Sequence, residues 1–192
     1  MPKSLKLKLE KIRNQKYKSK DFIIADAKDG DLAMGITTPG PLRDNQGKII
    51  QGFKKLKDYK KAMEVMTKSN LVDIMLMSAS VGESLVEKKI FKSSPVTPAI
   101  RMNDTSDIWL MRNSNYRSTN PRPFRSARID RVSKLVNLGL FSVTFSKNVD
   151  FDLAMLNSYR NFRMESLKYK FSHFLEVFNP PIDIGMNNEE LG

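Results

Sequence analysis

Apolar positions along the chain follow two alternating rhythms. Short β-rich runs occur at 22–26 (FIIAD), 71–78 (LVDIMLMS), 97–103 (TPAIRMN), 138–145 (LGLFSVTF) and 171–178 (FSHFLEVF), the last stopped by Asn179 and two prolines. Pro98 weakens the third run, because it lacks a ladder donor and belongs at the first residue of a strand. Between the runs, apolar residues recur at three- and four-residue spacing, the period of a helix with one buried face. Residues 54–69 carry Leu56, Tyr59, Met63 and Met66, and residues 126–137 carry Ile129, Val132, Leu135 and Val136. Residues 150–168 carry Leu153, Leu156, Tyr159, Phe162 and Leu167. A shorter helix is expected over 82–91. Gly139 marks the end of the third helix, and Asp150 or Asp152 the start of the fourth.

Strict alternation of strands and helices predicts the α/β class, with a parallel sheet covered by helices. Every run ends in polar or charged residues at its C-terminal tip, the pattern of the functional face of a (β/α) barrel. No glycine-rich phosphate loop follows the first run, and Asp29 and Asp31 have the wrong sign for a pyrophosphate. The expectation is therefore an incomplete parallel (β/α) barrel, about five of eight βα units, forming a single domain over 1–192. Within it, 1–20 is a helical segment, 21–180 holds the strands and helices, and 181–192 is a tail. A complete barrel takes about 250 residues, so the chain is expected to be truncated, with a half-barrel completed by dimerisation as the alternative.

Composition narrows the function classes. The chain has 192 residues and no cysteine, which removes disulfides, thiolate metal sites and thiol nucleophiles. The first 20 residues are charged throughout, unlike a signal peptide, and no run approaches about 18 apolar residues. A soluble, cytoplasmic protein is expected. The formal charge is +12, from 33 Lys and Arg against 21 Asp and Glu. The lysines gather in the first 20 residues, over 48–68 and on later helices. Without interleaved aromatics they read as a solvated surface, and nucleic acid is disfavoured as a partner. A basic field would favour a small anionic substrate. Homo-oligomerisation is left open.

Side chains alternate along a strand. One parity gathers Asp26 and Lys28 from the first run, Ser78 and Ser80 from the second, and Arg101 and Asn103 from the third. The fourth and fifth contribute Thr144, Ser146 and Glu176, with Ser142 on the same side. Asp26 and Lys28 are the sharpest pair, opposite charges two residues apart at the tip of an apolar strand. Small residues filling a tapered interior account equally well for Ser142 and Thr144, and Arg101 with a carboxylate also reads as a structural ion pair. His173, the only histidine, falls on the helix-facing parity and reads as structural. A carboxylate Mg²⁺ site from Asp26, Asp31, Asp104 and Glu176 is set aside because Lys28 and Arg101 supply countercharge, so no metal or cofactor is expected.

With Asp26 ending the first strand and Glu176 the fifth (IIADAKDGD and HFLEVFNP), the chain resembles the aldolase-type barrel superfamily, in particular class I aldolases. The resemblance implies a carbon–carbon lyase for a small, anionic, phosphorylated, sugar-type substrate. Its Schiff-base lysine would lie on a sixth strand beyond the chain end, leaving this fragment inactive. Asp26, Lys28 and Glu176 would then be catalytic. Asp31, Ser78, Ser80, Arg101, Asn103, Thr144 and Ser146 would bind substrate. One departure is the fourth strand's tip, where some of these aldolases have a lysine and this chain has Thr144-Phe145-Ser146. A second resemblance is local: Asp26, Lys28 and Asp31 are similar to the Asp-x-Lys-x-x-Asp motif of orotidine-monophosphate decarboxylase and its relatives. It implies a metal-independent proton-transfer enzyme in which Lys28 is the proton donor. Residues 37–41 and 105–125 are expected to be lids, the latter with Arg112, Arg117, Arg122 and Arg125. A basic nucleic-acid-binding protein remains as the alternative of another class.

Overall fold

The computed structural model describes every residue except 32–36, 106–122, 126, 179–182, 184 and 192. The second expected lid therefore lies outside the described residues apart from its ends. The chain divides into two compact units, Met1–Ile100 and Arg101–Gly192.

The first unit opens with α1 (Ser4–Arg13) and β1 (Ala25–Lys28). A hairpin of β2 (Pro41–Arg43) and β3 (Ile49–Phe53) follows, then α2 (Leu56–Ser69), β4 (Ile74–Met77), α3 (Ala79–Glu87) and β5 (Thr97–Arg101). Strand β1 pairs parallel with β4, Asp26 beside Met75, and β4 pairs parallel with β5, Met75 beside Pro98. All four residues of β4 are buried, as expected of a strand covered on both faces. Met63 of α2 and Val81 and Leu85 of α3 complete this core. Helix α1 is held from its first turn. The Lys3 ammonium donates to the carbonyls of Phe91, Ser94 and Val96 at 2.8, 3.0 and 2.8 Å, and the Ser4 N–H donates to the Pro95 carbonyl. Burial lowers the Lys3 pKa.

The second unit, beyond Arg101 at the end of β5, holds the antiparallel pair β6 (Asp104–Thr105) and β7 (Pro123–Phe124). Then come α4 (Ile129–Val132), β8 (Leu138–Thr144), α5 (Val149–Lys168), β9 (Ser172–Phe178) and α6 (Asn188–Leu191). The Met102 N–H donates to the Leu140 carbonyl, and β8 pairs parallel with β9 along seven residues, Ser142 beside Glu176. Phe141 of β8 stacks against Tyr159 and Phe162 of α5, with ring centroids 5.1 and 4.8 Å away. The α/β class and the strand–helix alternation are thus as expected; in the first unit the sheet order is β1, β4, β5, and in the second β8 lies beside β9. No helix among the described residues is long and apolar enough to cross a membrane.

Several local expectations shift. The first strand begins at Ala25, leaving Phe22, Ile23 and Ile24 at least partly exposed. The hairpin β2–β3 was not anticipated. Its turn is made by Asp44, whose carboxylate accepts from the Gln46 and Lys48 N–H groups, and by Gly47 at φ +81°. Gly139 stops no helix; it lies in β8, where a methyl group would come within 2.6 Å of the Phe171 ring and 2.7 Å of Met102. Helix α5 is capped by Asn148, which accepts from the Phe151 N–H, with Asp150 and Asp152 in its first turn as expected.

Candidate functional site

In the first unit, β1 is short and ends in charge. Period-two alternation puts Asp26 and Lys28 on one side, and Lys28 Nζ lies 3.1 Å from Asp26 Oδ1. Both side chains are largely sheltered, and Asp26 Oδ2 is buried without a hydrogen-bond partner among the described residues. The chain then turns through Asp29, itself 9 % exposed, to Asp31.

Asp31 is fixed by the next βα junction. Ser78, fully buried after β4, is the N-cap of α3: its hydroxyl accepts from the Val81 N–H at 3.4 Å and donates to Asp31 Oδ2 at 2.6 Å. Asp31 Oδ1, like Asp26 Oδ2, is buried without a hydrogen-bond partner among the described residues. Burial pushes the Asp31 carboxyl above its ordinary value, against the Ser78 hydrogen bond, and the charge of Asp29 adds to the rise. Tyr59 of α2 senses the same cluster. Burial, followed by the charges of Asp31 and Asp29, pushes its phenol up to about 12. Tyr59 had been read only as an apolar helix position; no spacing rule marks a tyrosine whose hydroxyl faces carboxylates on another element.

Ser80 is not beside Ser78. The strand ends at Met77, so Ser80 is an exposed residue in the first turn of α3 and strand parity no longer applies to it. The 37–41 segment touches the cluster's loop at one point, where the Thr38 hydroxyl donates to the Gly30 carbonyl.

In the second unit, Arg101 reaches across β8. Its Nη1 donates to Ser142 Oγ at 2.6 Å and its Nη2 lies 3.3 Å from Glu176 Oε2; Ser142 Oγ donates to that same oxygen at 2.8 Å. Arg101, Ser142 and Glu176 therefore form one closed network on one face of the sheet, as the parity required. Asn103 is buried and spends its amide on the Ser142 backbone. Thr144 is buried, its N–H directed to Met155 Sδ at 3.0 Å. The Ser146 N–H and hydroxyl both donate to Asp152 Oδ1, tying the end of β8 to the first turn of α5. Arg125 pairs with Glu165 at 2.6 Å, while Arg112, Arg117 and Arg122 lie outside the described residues.

His173 packs between the ring edges of Tyr159 and Phe162, with Nε2 3.3 Å from the Tyr159 hydroxyl. Burial, then the charge of Arg163, lowers its pKa. Its helix-facing, structural placement agrees with the alternation of β9. Among the described residues no three carboxylate or histidine groups converge as metal ligands.

No protein-family model and no curated protein matches this sequence. The chemistry must therefore be argued from the two clusters. The first offers an ammonium, buried carboxylate oxygens without hydrogen-bond partners among the described residues, a raised carboxyl and a phenol, which together can bind and move protons. The second is internally satisfied, and suits holding one carboxylate in place.

Proposed function

We propose that the chain belongs to a carbon–carbon lyase of the aldolase-type (β/α) barrel class, acting on a small anionic, phosphorylated, sugar-type substrate. The observation that carries this reading is Asp26 at the tip of a parallel strand. One of its oxygens is held by Lys28 and the other is buried without a hydrogen-bond partner among the described residues. That second oxygen is suited to take the proton from the hydroxyl of the bond being cleaved. The electron pair released from the carbon–carbon bond passes into an iminium formed, with loss of water, between the substrate carbonyl and a lysine amine. Lys28 keeps Asp26 oriented and adds positive charge for the substrate anion.

A second reading is favoured by one contact. Asp26, Lys28 and Asp31 lie in one unit, with Lys28 hydrogen-bonded to Asp26, so Lys28 itself could be the proton donor to a substrate carbanion.

Reductive trapping separates the two. Borohydride added with dihydroxyacetone phosphate, or another phosphorylated ketose, leaves a stable mass increment on a lysine if an iminium forms. Turnover without an increment, abolished in Lys28→Met, supports the second reading. Neither adduct nor turnover across a panel of phosphorylated ketoses and sugar acids, in a protein that also carries the lysine-bearing sixth strand, would sink both.

A further inference from the structure

Helix α5 carries apolar residues on two faces. Met155 and Phe162 are 2 % and 0 % exposed and form its inward side. Val149, Leu153, Leu156, Met164 and Leu167 occupy a second stripe and are between 44 % and 80 % exposed. At 3.6 residues per turn these five fall in one line, with Arg160 completing it between Leu156 and Met164. A surface helix ordinarily carries polar residues there, and a continuous exposed stripe marks a contact surface.

The charges along the stripe indicate what covers it. Asp150 and Asp152 flank its N-terminal end, while Arg160, Arg163 and Lys168 lie towards its C-terminal end. This polarity suits the macrodipole of a lone helix, but the dipole accounts for none of the apolar residues. Laid antiparallel on a second copy of itself, the helix satisfies both patterns. Val149 then faces Leu167 of the second copy, Leu153 faces Met164, and Leu156 packs on the aliphatic stem of Arg160. In the same register Asp150 meets Lys168, and Asp152 meets Arg163. A parallel arrangement would instead place like charges side by side.

We infer that α5 pairs antiparallel with α5 of a second copy, forming an isologous two-fold dimer. A 20-residue helix gives a seam of about 30 Å. The inference is independent of the catalytic reading above.

The absence of cysteine makes the test direct. The double variant Leu153→Cys with Met164→Cys places the two thiols about 16 Å apart within one helix. That distance is too long for an internal disulfide, so any disulfide between them must join two chains. Mild oxidation is expected to convert the double variant to a covalent dimer, while each single variant stays uncrosslinked. Both positions are exposed, so the fold tolerates the changes. Light scattering of the parent chain should give twice the mass of a single chain. Asp150→Lys alone should weaken association about tenfold, and adding Lys168→Asp should restore it, because each copy then offers the inverted pair to the other. A single-chain mass at about 100 µM would overturn the inference. So would a dimer in which the double variant crosslinks no better than the single ones, since the seam would lie elsewhere.

Discussion

Asn103 takes the place of a strand partner for Ser142. Its amide donates to the Ser142 carbonyl at 2.8 Å and its carbonyl accepts the Ser142 N–H at 2.7 Å, extending by side chain the ladder that Met102 makes with Leu140. Both backbone polar atoms of the buried Ser142 depend on one amide. Replacing Asn103 by Ala should therefore cost about 2–3 kcal/mol, read as a lower urea midpoint with an unchanged slope. Asn103→Asp should cost more, because a carboxylate would face the Ser142 carbonyl.

Periodicity was enough to place the alternating elements. Leu138 to Thr144 and Val149 to Lys168 stand within a residue of the expected runs, because long apolar patterns override local detail. The hairpin escaped because Pro41 to Phe53 is nearly all exposed, so no buried face imprinted a rhythm on it. Parity found the Arg101–Ser142–Glu176 network and the Asp26–Lys28 pair, since both lie on regular strand. It failed for Ser80, one turn past the strand end, and for Ser146, whose hydroxyl Asp152 takes up. Tyr59 was missed because only tertiary packing brings α2 to Asp31.

The charge of Asp31 should be felt in the titration of Tyr59. A carboxyl raised by burial favours the protonated form in the folded state, so it subtracts stability as pH rises through the ordinary carboxylate range. Asp31→Asn should abolish that decline and leave the variant more stable than the parent at pH 7. It should also lower the Tyr59 transition from about 12 towards the ordinary 10, followed as tyrosinate absorbance at 295 nm with Tyr59→Phe as the blank.

Asp73 should act with the opposite sign. Burial opposes its charge, but hydrogen bonds from Lys8 at 2.7 Å and from the Ile24 N–H at 2.8 Å outweigh burial and hold its pKa below the usual range. The stability it contributes is present above the ordinary carboxylate pKa and is lost as pH falls below it, through the lowered pKa of the folded state. Asp73→Asn should cost about 1.5–3 kcal/mol at pH 7, and the gap should narrow in denaturant titrations as the pH is taken below the ordinary carboxylate range.

His173 gives one imidazole resonance, since the chain has one histidine. Its lowered pKa keeps it neutral in the folded state, so stability should fall as pH drops through the ordinary histidine range, where the unfolded chain takes up a proton first. Arg163→Gln should move the NMR titration midpoint upward by removing the nearby charge. An unmoved midpoint would assign the whole shift to burial.

The pairing pattern also bears on how the chain is made. Ala25 pairs with Ile74, Ile74 with Thr97, and Leu138 with Ser172, so in each ladder a strand joins the sheet strand made just before it. Within each unit, the paired strands are therefore successive sheet strands of the chain. Contacts between successive elements form faster than pairings between distant ones, and each unit can be assembled in the order of translation, with β4 docking on β1 before β5 is needed. A substitution that disturbs β4 should consequently harm the yield of nascent protein more than an equal loss of stability placed in β9.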